Sequence, residues 1–406
     1  NEVHRSLELP MCLCLFTTMP FKRLRKACTS SNWKKSLLLL FSVILVNSML
    51  MVWIEQVVWT TDRDSLCSTE INTLFRDYEL CRITMQLERV PVREESNKPE
   101  EVDLRIIVIV YNRAQSLLRL LESLNSAHYF GDRVAIHVWI DRSRTGMIDA
   151  ETYRVAKRFI FRHGRYYIHN QTCHVGIYGQ WMGTWNPHNG SSEKAVILED
   201  DISVSPYFYK WLKLVYKKYS HRDDINGYAL QGVSMKHGKF SNGLIEVDTK
   251  HKTFLFPILG TWGFSPKVKH WSQFLEWYRD SLKDPEFQPI IPGILPSRWW
   301  SEFTEKGKID GMWEMWHIYH AWINRYYTLY NNYEDHQGLA INWKEPGLHY
   351  KVTSDEQKQD PLLLKWKPEY EDLPENPVKI DVDGNVMDSE SQRRSSRSGF
   401  IWKWLQ

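Results

Sequence analysis

A mainly apolar run, LRIIVIV from Leu104 to Val110 with Arg105 as its one charged residue, stands between polar neighbours. A short run rich in Ile and Val with no polar alternation predicts a strand buried on both faces. A helix is predicted from about Ala114 to Ala127. A second strand follows at Val134 to Ile140, then an amphipathic helix from about Ala150 to Phe161, and a third strand at Arg165 to His169. KAVIL, Lys194 to Leu198, reads as another buried strand, and the helix predicted from Pro206 to Tyr219 carries Pro in its first turn, where the missing N–H costs nothing. This βαβαβ alternation predicts an α/β fold with an open, mainly parallel sheet and flanking helices. No internal repeat is visible.

Upstream, residues 36–54 (SLLLLFSVILVNSMLMVWI) carry no charge. At about 1.5 Å per residue they reach roughly the 30 Å of a bilayer's hydrocarbon core. Lys22, Arg23, Arg25, Lys26, Lys34 and Lys35 precede this run, and Glu55 and Asp62 follow it, so the positive-inside rule places residues 1–35 in the cytosol and the bulk of the chain in a lumen. A cleaved signal peptide is the competing reading. The long basic region and the lack of a small-x-small site after Ile54 favour an uncleaved signal anchor. The chain begins at Asn1, which reads as a fragment or as translation from Met11. Residues 55–100 read as a stem, 101–355 as the folded domain, and 356–406, polar and Pro-rich with SQRRSSRSG, as a disordered tail.

Composition narrows the class. With 52 Lys+Arg against 49 Asp+Glu the net charge is only +3, so no global field recruits nucleic acid. A mean hydropathy of −0.46 excludes a multi-span membrane protein. The 19 Trp and 20 Tyr fit either an aromatic-rich core or sugar-stacking surfaces. Cys12, Cys14 and Cys28 precede the apolar run; Cys67, Cys81 and Cys173 follow it and would meet an oxidising compartment. Cys67 and Cys81 could close a loop in the stem, leaving Cys173 odd; a buried free thiol is the commoner fate of a lone cysteine, but the sequence leaves the pairing open. Sequons at Asn170 and Asn189 fall on the same lumenal side.

In open α/β sheets ligands bind at the carboxyl ends of the strands. Tyr111, Asn112 and Arg113 follow the first strand, Asp141 the second, and Glu199-Asp200-Asp201 the KAVIL strand. Three adjacent carboxylates repel one another, and such oxygen ligands suit Mg²⁺ or Mn²⁺ bridging protein and a diphosphate. The other reading of these acids is an ordinary helix N-terminus, which also favours negative charge.

At these residues the chain resembles the GT-A-fold glycosyltransferases, in particular the N-acetylglucosaminyltransferase I group with its protein-O-mannose relative. VILEDDISVSPYFYKWL is similar to that group's Glu-Asp-Asp strand and Pro-aromatic helix, RIIVIVYNR to its opening strand, and WIDRSRT to its second strand. FPILGTWGFSPKVKHW and WEMW are similar to its Pro-x-x-Gly and Trp-Asp-Asp-Trp segments. The resemblance spans roughly residues 104–350. It implies a GT-A, Rossmann-like fold and a Golgi type II membrane enzyme, its catalytic domain lumenal. Such an enzyme transfers a sugar, by this resemblance N-acetylglucosamine from UDP-N-acetylglucosamine, to a glycan or glycoprotein acceptor with inversion.

By the same resemblance Asp201 ligates Mn²⁺ (or Mg²⁺), Asp200 and Glu199 face the ribose and metal-bound waters, and Tyr111, Arg113, Asp141 and Trp262 hold the nucleotide-sugar. Inverting transfer needs a carboxylate base. Glu314 is the candidate, because the motif's second acid is here Met315; nearby Asp310 is the alternative. His349 in GLHY is a candidate second metal ligand, against an ordinary surface role. Gly260 and Gly263 either admit the donor sugar close to the backbone or simply permit a bend. Trp313, Trp316 and Trp322 suit helix packing as well as sugar contact. Other readings of the chain are an inactive glycan- or nucleotide-binding protein, a GT-A enzyme with another donor, or a nucleotidyltransferase, which the lumenal topology disfavours.

Overall fold

The computed structural model describes residues 102–188, 190–232, 234–238, 243–307, 311–343, 345 and 360–387, all within one compact unit. The segment 36–54, the stem at 55–100, Asp310 and His349 lie outside the described residues. Among the described residues no helix is long and apolar enough to cross a membrane.

Strands β1 (Leu104–Val110), β2 (Val134–Ile140), β3 (Gly164–Asn170) and β4 (Ala195–Glu199) run parallel in the order β3-β2-β1-β4. Five more complete a nine-stranded sheet: β6 (Ile225–Ala229), β7 (Thr253–Phe256), β8 (Phe264–Pro266), β9 (Tyr327–Asn331) and β11 (Val378–Lys379), in the order β11-β7-β9-β6-β8-β4-β1-β2-β3. β8 is antiparallel to both its neighbours, and β7 to β9. A separate ribbon pairs β5 (Ile202–Val204) with β10 (Ala340–Asn342).

Strand periodicity divides β1 between two cores. Ile106, Val108 and Val110 join the cluster covered by α1 (Ala114–Asn125), α2 (Ala150–Arg158) and α4 (Phe208–Tyr219). Ile107 and Ile109 join the cluster of α3 (Gly176–Gly183), α5 (Val268–Ser281), α6 (Leu295–Glu305) and α7 (Glu314–Asn324). Both faces are buried, which is why β1 shows no polar alternation.

Several expected boundaries move. α2 stops at Arg158, short of Phe161, because Asn125 at the end of α1 takes the next residues: its Nδ2 donates to Ile160 O (2.9 Å) and its Oδ1 accepts from Arg162 N (3.0 Å). α1 likewise ends at Asn125, not Ala127, with the Ser126 hydroxyl on Glu122 O at 3.0 Å. α4 begins at Phe208, since Ser205 Oγ accepts the amide of Tyr207 and so holds Pro206 in a turn.

Two expectations are corrected outright. Residues 360–387, placed in a disordered tail, are folded: Leu363, Tyr370, Ile380 and Val382 are buried, and β11 extends the sheet beside β7. Their apolar residues are spaced widely enough among polar ones to look like solvated chain. Cys173, whose pairing the sequence leaves open with a free thiol as the commoner fate, is disulfide-bonded. Every other cysteine lies outside the described residues.

Gly263 precedes β8 with φ +84°, and a Cβ there would meet Leu230 Cδ1 at 2.9 Å and Leu198 Cδ2 at 3.1 Å. The glycine is thus required by the bend and by the core beneath it. Gly263→Ala is expected to cost about 1–3 kcal/mol, combining positive φ with overpacking, read as a lower urea midpoint.

Candidate functional site

Register brings the acids to their partners. β1 and β4 pair with Ile109 opposite Glu199, so the residues following both strands emerge side by side. Arg113, at the N-cap of α1, reaches across to Asp200 and Asp201. Its Nε donates to Asp200 Oδ2 at 3.2 Å, its Nη2 to Asp200 Oδ1, and its Nη1 to Asp201 Oδ2 at 2.9 Å. From β10, Asn342 Nδ2 donates to Asp201 Oδ1 at 2.9 Å, and the Trp343 amide donates to Asp201 O at 2.9 Å. All four carboxylate oxygens of the Asp pair therefore have donors. Asp200 and Asp201 are buried, at 3% and 8% exposure.

Burial pushes the Asp200 carboxyl up to about 7, with Arg113 pulling it down and Asp201 adding to the rise. Glu199 is raised as well, by burial first and then by the charge of Asp201. Burial works against the Arg113 charge, but Asp200 and Asp201 outweigh it and hold the guanidinium protonated.

Glu199 leads to the helix expected to carry the base. Trp181 Nε1 on α3 donates to Glu199 Oε1 at 3.0 Å, and the Trp181 ring stacks on Trp313 at 4.0 Å and 18°. Trp313 is the N-cap of α7, and Glu314 is that helix's first residue. Burial raises the Glu314 carboxyl to about 7. Met315, where the resembled motif has a second acid, is fully buried in the core, so a carboxylate there would lie in apolar packing. Trp316 also belongs to that core, which settles its packing role.

Asp141, expected at the nucleotide, is 3% exposed and turned to the backbone. It accepts the amides of Arg142 (2.8 Å), Val175 (3.0 Å) and Gly176 (2.9 Å), the last two at the start of α3. His174 Nδ1 lies 3.1 Å from the same carboxylate, and that hydrogen bond raises the imidazole's pKa. Asp141 thus organises the loop between β3 and α3. The groups it leaves nearer the surface are His174 and Tyr111, whose rings are tilted at 6.3 Å; Tyr111 is 39% exposed. Trp262 is half-buried, its amide donating to Gln231 Oε1 at 3.3 Å, and Gln231 bridges to Ala340 in the strand that carries Asn342. Gly260 packs directly on Gln231, which a Cβ would approach to 2.6 Å, so this glycine serves close packing.

The segment after β10 closes the other side of the site. Glu345 bonds to Ser116 and Arg119 on α1, and the Arg119 guanidinium stands 4.4 Å over the Trp343 ring. Asn342, Trp181, His174 and Glu345 carry no local sequence signal; long-range pairing delivers them.

Among the described residues no group of three or more His, Cys, Asp or Glu converges as a ready metal site. The donors have the right chemistry, because hard carboxylate oxygens at Asp201, Asp200 and Glu199 suit Mg²⁺ or Mn²⁺. Arg113 now supplies the neutralising charge.

No protein-family model and no curated protein matches the chain. Among solved structures it is similar to the crystal structure of S. aureus TarS 1-349, at 11% identity and TM-score 0.32, over 57% of this chain and 60% of that one. It is also similar to the mannosyltransferase PcManGT from Pyrobaculum calidifontis in complex with GDP-Man and Mn²⁺, at 11% identity and TM-score 0.29, over 54% and 57%. The chain thus spans less than two thirds of either relative, and scores this low do not extend their activities to it.

Proposed function

We infer that the chain is a divalent-metal-dependent glycosyltransferase of GT-A type, moving a sugar from a nucleotide-sugar to a glycan or glycoprotein acceptor with inversion. The observation that carries this reading is the Glu199-Asp200-Asp201 cluster, its two aspartates buried, at the end of a central parallel strand and cross-braced by Arg113 from the neighbouring strand end. Asp201 and Asp200 would hold the cation, which when bound would neutralise the departing diphosphate. Tyr111, two residues before Arg113, and His174, whose ring is tilted against it, would offer ring faces to the nucleotide. Glu314 takes the acceptor hydroxyl's proton, its raised pKa matching it to neutral pH. UDP-N-acetylglucosamine as donor rests on the family resemblance of the motifs. The test is nucleoside diphosphate release by the full chain in detergent across UDP-sugars and GDP-mannose with Mn²⁺ and mannose-bearing acceptors. Absence of release with every donor, together with metal-independent glycan binding, would favour an inactive binding protein instead.

A type II anchor at 36–54 and a Golgi lumenal location belong to the same proposal. They are supported by the disulfide at Cys173 and by the sequon Asn170, exposed at the end of the edge strand β3. In secretory cells, peptide N-glycosidase is expected to increase the protein's gel mobility, and Asn170→Gln to run ahead of wild type before treatment. An unshifted wild-type band would place the domain outside the lumen.

A further inference from the structure

We propose that Arg113 is a built-in counter-ion that competes with the divalent cation for Asp200 and Asp201, so that the free protein takes up the cation weakly and a nucleoside diphosphate recruits it. This deepens the reading above and rests on its metal site.

The geometry is that of a closed ion cluster. Arg113 commits three nitrogens to the pair, gripping Asp200 with two and Asp201 with one, while Asn342 holds Asp201 from the other side. Guanidinium is a permanent cation with a rigid fork and no acceptor. A carboxylate oxygen keeps a second lone pair, so coordination at Asp201 is not blocked sterically. The opposition is electrostatic. A cation bound at Asp201 Oδ2 would sit close to Nη1, itself only 2.9 Å from that oxygen, in a buried setting with little screening.

A diphosphate changes the balance, since its oxygens match the guanidinium fork as carboxylates do. Once Arg113 turns part of its fork to the diphosphate, the acids are freed and the cation gains ligands from both sides. Coupling of this kind is reciprocal: the diphosphate tightens the cation by the factor by which the cation tightens the diphosphate.

The test is Mn²⁺ binding to the full chain in detergent, followed by the electron paramagnetic resonance signal of free Mn²⁺, with and without UDP. Wild type is expected to bind weakly alone and tightly with UDP. Arg113→Gln, which removes the charge, is expected to bind Mn²⁺ alone at least about tenfold more tightly, with UDP adding less than in wild type. Arg113→Lys keeps a charge and should stay weak without UDP, which also guards against a Gln variant that fails to fold. Asp201→Asn should abolish binding in every background. If Arg113→Gln binds Mn²⁺ no more tightly than wild type, the counter-ion proposal is wrong although the metal site stands. If wild type binds no Mn²⁺ even with UDP, the metal reading fails and takes this proposal with it.

Discussion

Asp201→Asn is expected to lower turnover by about 10³-fold or more, equivalent to roughly 4 kcal/mol of lost transition-state stabilisation, without unfolding the protein. The substitution keeps the side chain's size but removes the charge that would hold the cation at the leaving diphosphate. It also presents an NH₂ where two donors now converge, Arg113 Nη1 on one oxygen and Asn342 Nδ2 on the other. One of those contacts must break, but Arg113 keeps its grip on Asp200. Repulsion from Asp201 raises both Glu199 and Asp200, and the neutral amide would relieve it. Thermal stability should therefore fall little, while activity collapses and addition of a chelator has nothing further to remove. Activity within tenfold of wild type would show that Asp201 does not hold the reacting cation.

That prediction could be framed from the sequence because the residues behind it sit next to strong patterns. β1, β2 and β4 are short and largely buried on both faces, so each writes a mainly apolar run, broken only by Arg105 in β1 and His137 in β2, and the polar residues after each run mark the ligand end of the sheet. The second half of the sheet was not legible. β6 is INGYA, fully buried despite its Asn and Gly, because Asn226 is satisfied by Thr328 on β9 at 3.1 Å and Gly227 leaves room for the Phe264 ring, which a Cβ would approach to 2.5 Å. Polarity that is satisfied across the sheet erases the strand signal along the chain. The same holds in the site. Arg113 and the acids lie where strand ends predict chemistry, whereas Asn342 meets Asp201 from 141 residues away and Trp181 meets Glu199 only once α3 packs. Asp141 was legible as a strand-end acid, but its commitment to the amides of Val175 and Gly176 depends on a loop that no local pattern describes.

Glu314→Gln is expected to lower turnover by about 10²–10⁴-fold, the range that a positioned general base contributes. In wild type, turnover should rise with pH through about 7, where burial places the Glu314 carboxyl, instead of levelling off near an ordinary carboxylate value. Residual activity in the variant should lose that rise. Stability supplies an independent readout with a fixed sign. A carboxyl raised in the folded state is most easily accommodated while protonated. Its favourable contribution is complete below the unfolded value of 4.5 and is lost as pH climbs through about 7. Glutamine mimics the protonated form at every pH, so the variant's advantage over wild type should be under about 1 kcal/mol near pH 5 and grow to about 3 kcal/mol at pH 8. A carboxyl that is costly to keep ionised, at the helix start beside the Trp181–Trp313 stack, is what the proposed base role requires. Denaturation of both proteins at the two pH values, run beside initial rates, separates the possibilities. An equal stability gap at pH 5 and pH 8 would mean that Glu314 is ordinarily ionised. An active Glu314→Gln beside an inactive Asp310→Asn would transfer the base to Asp310.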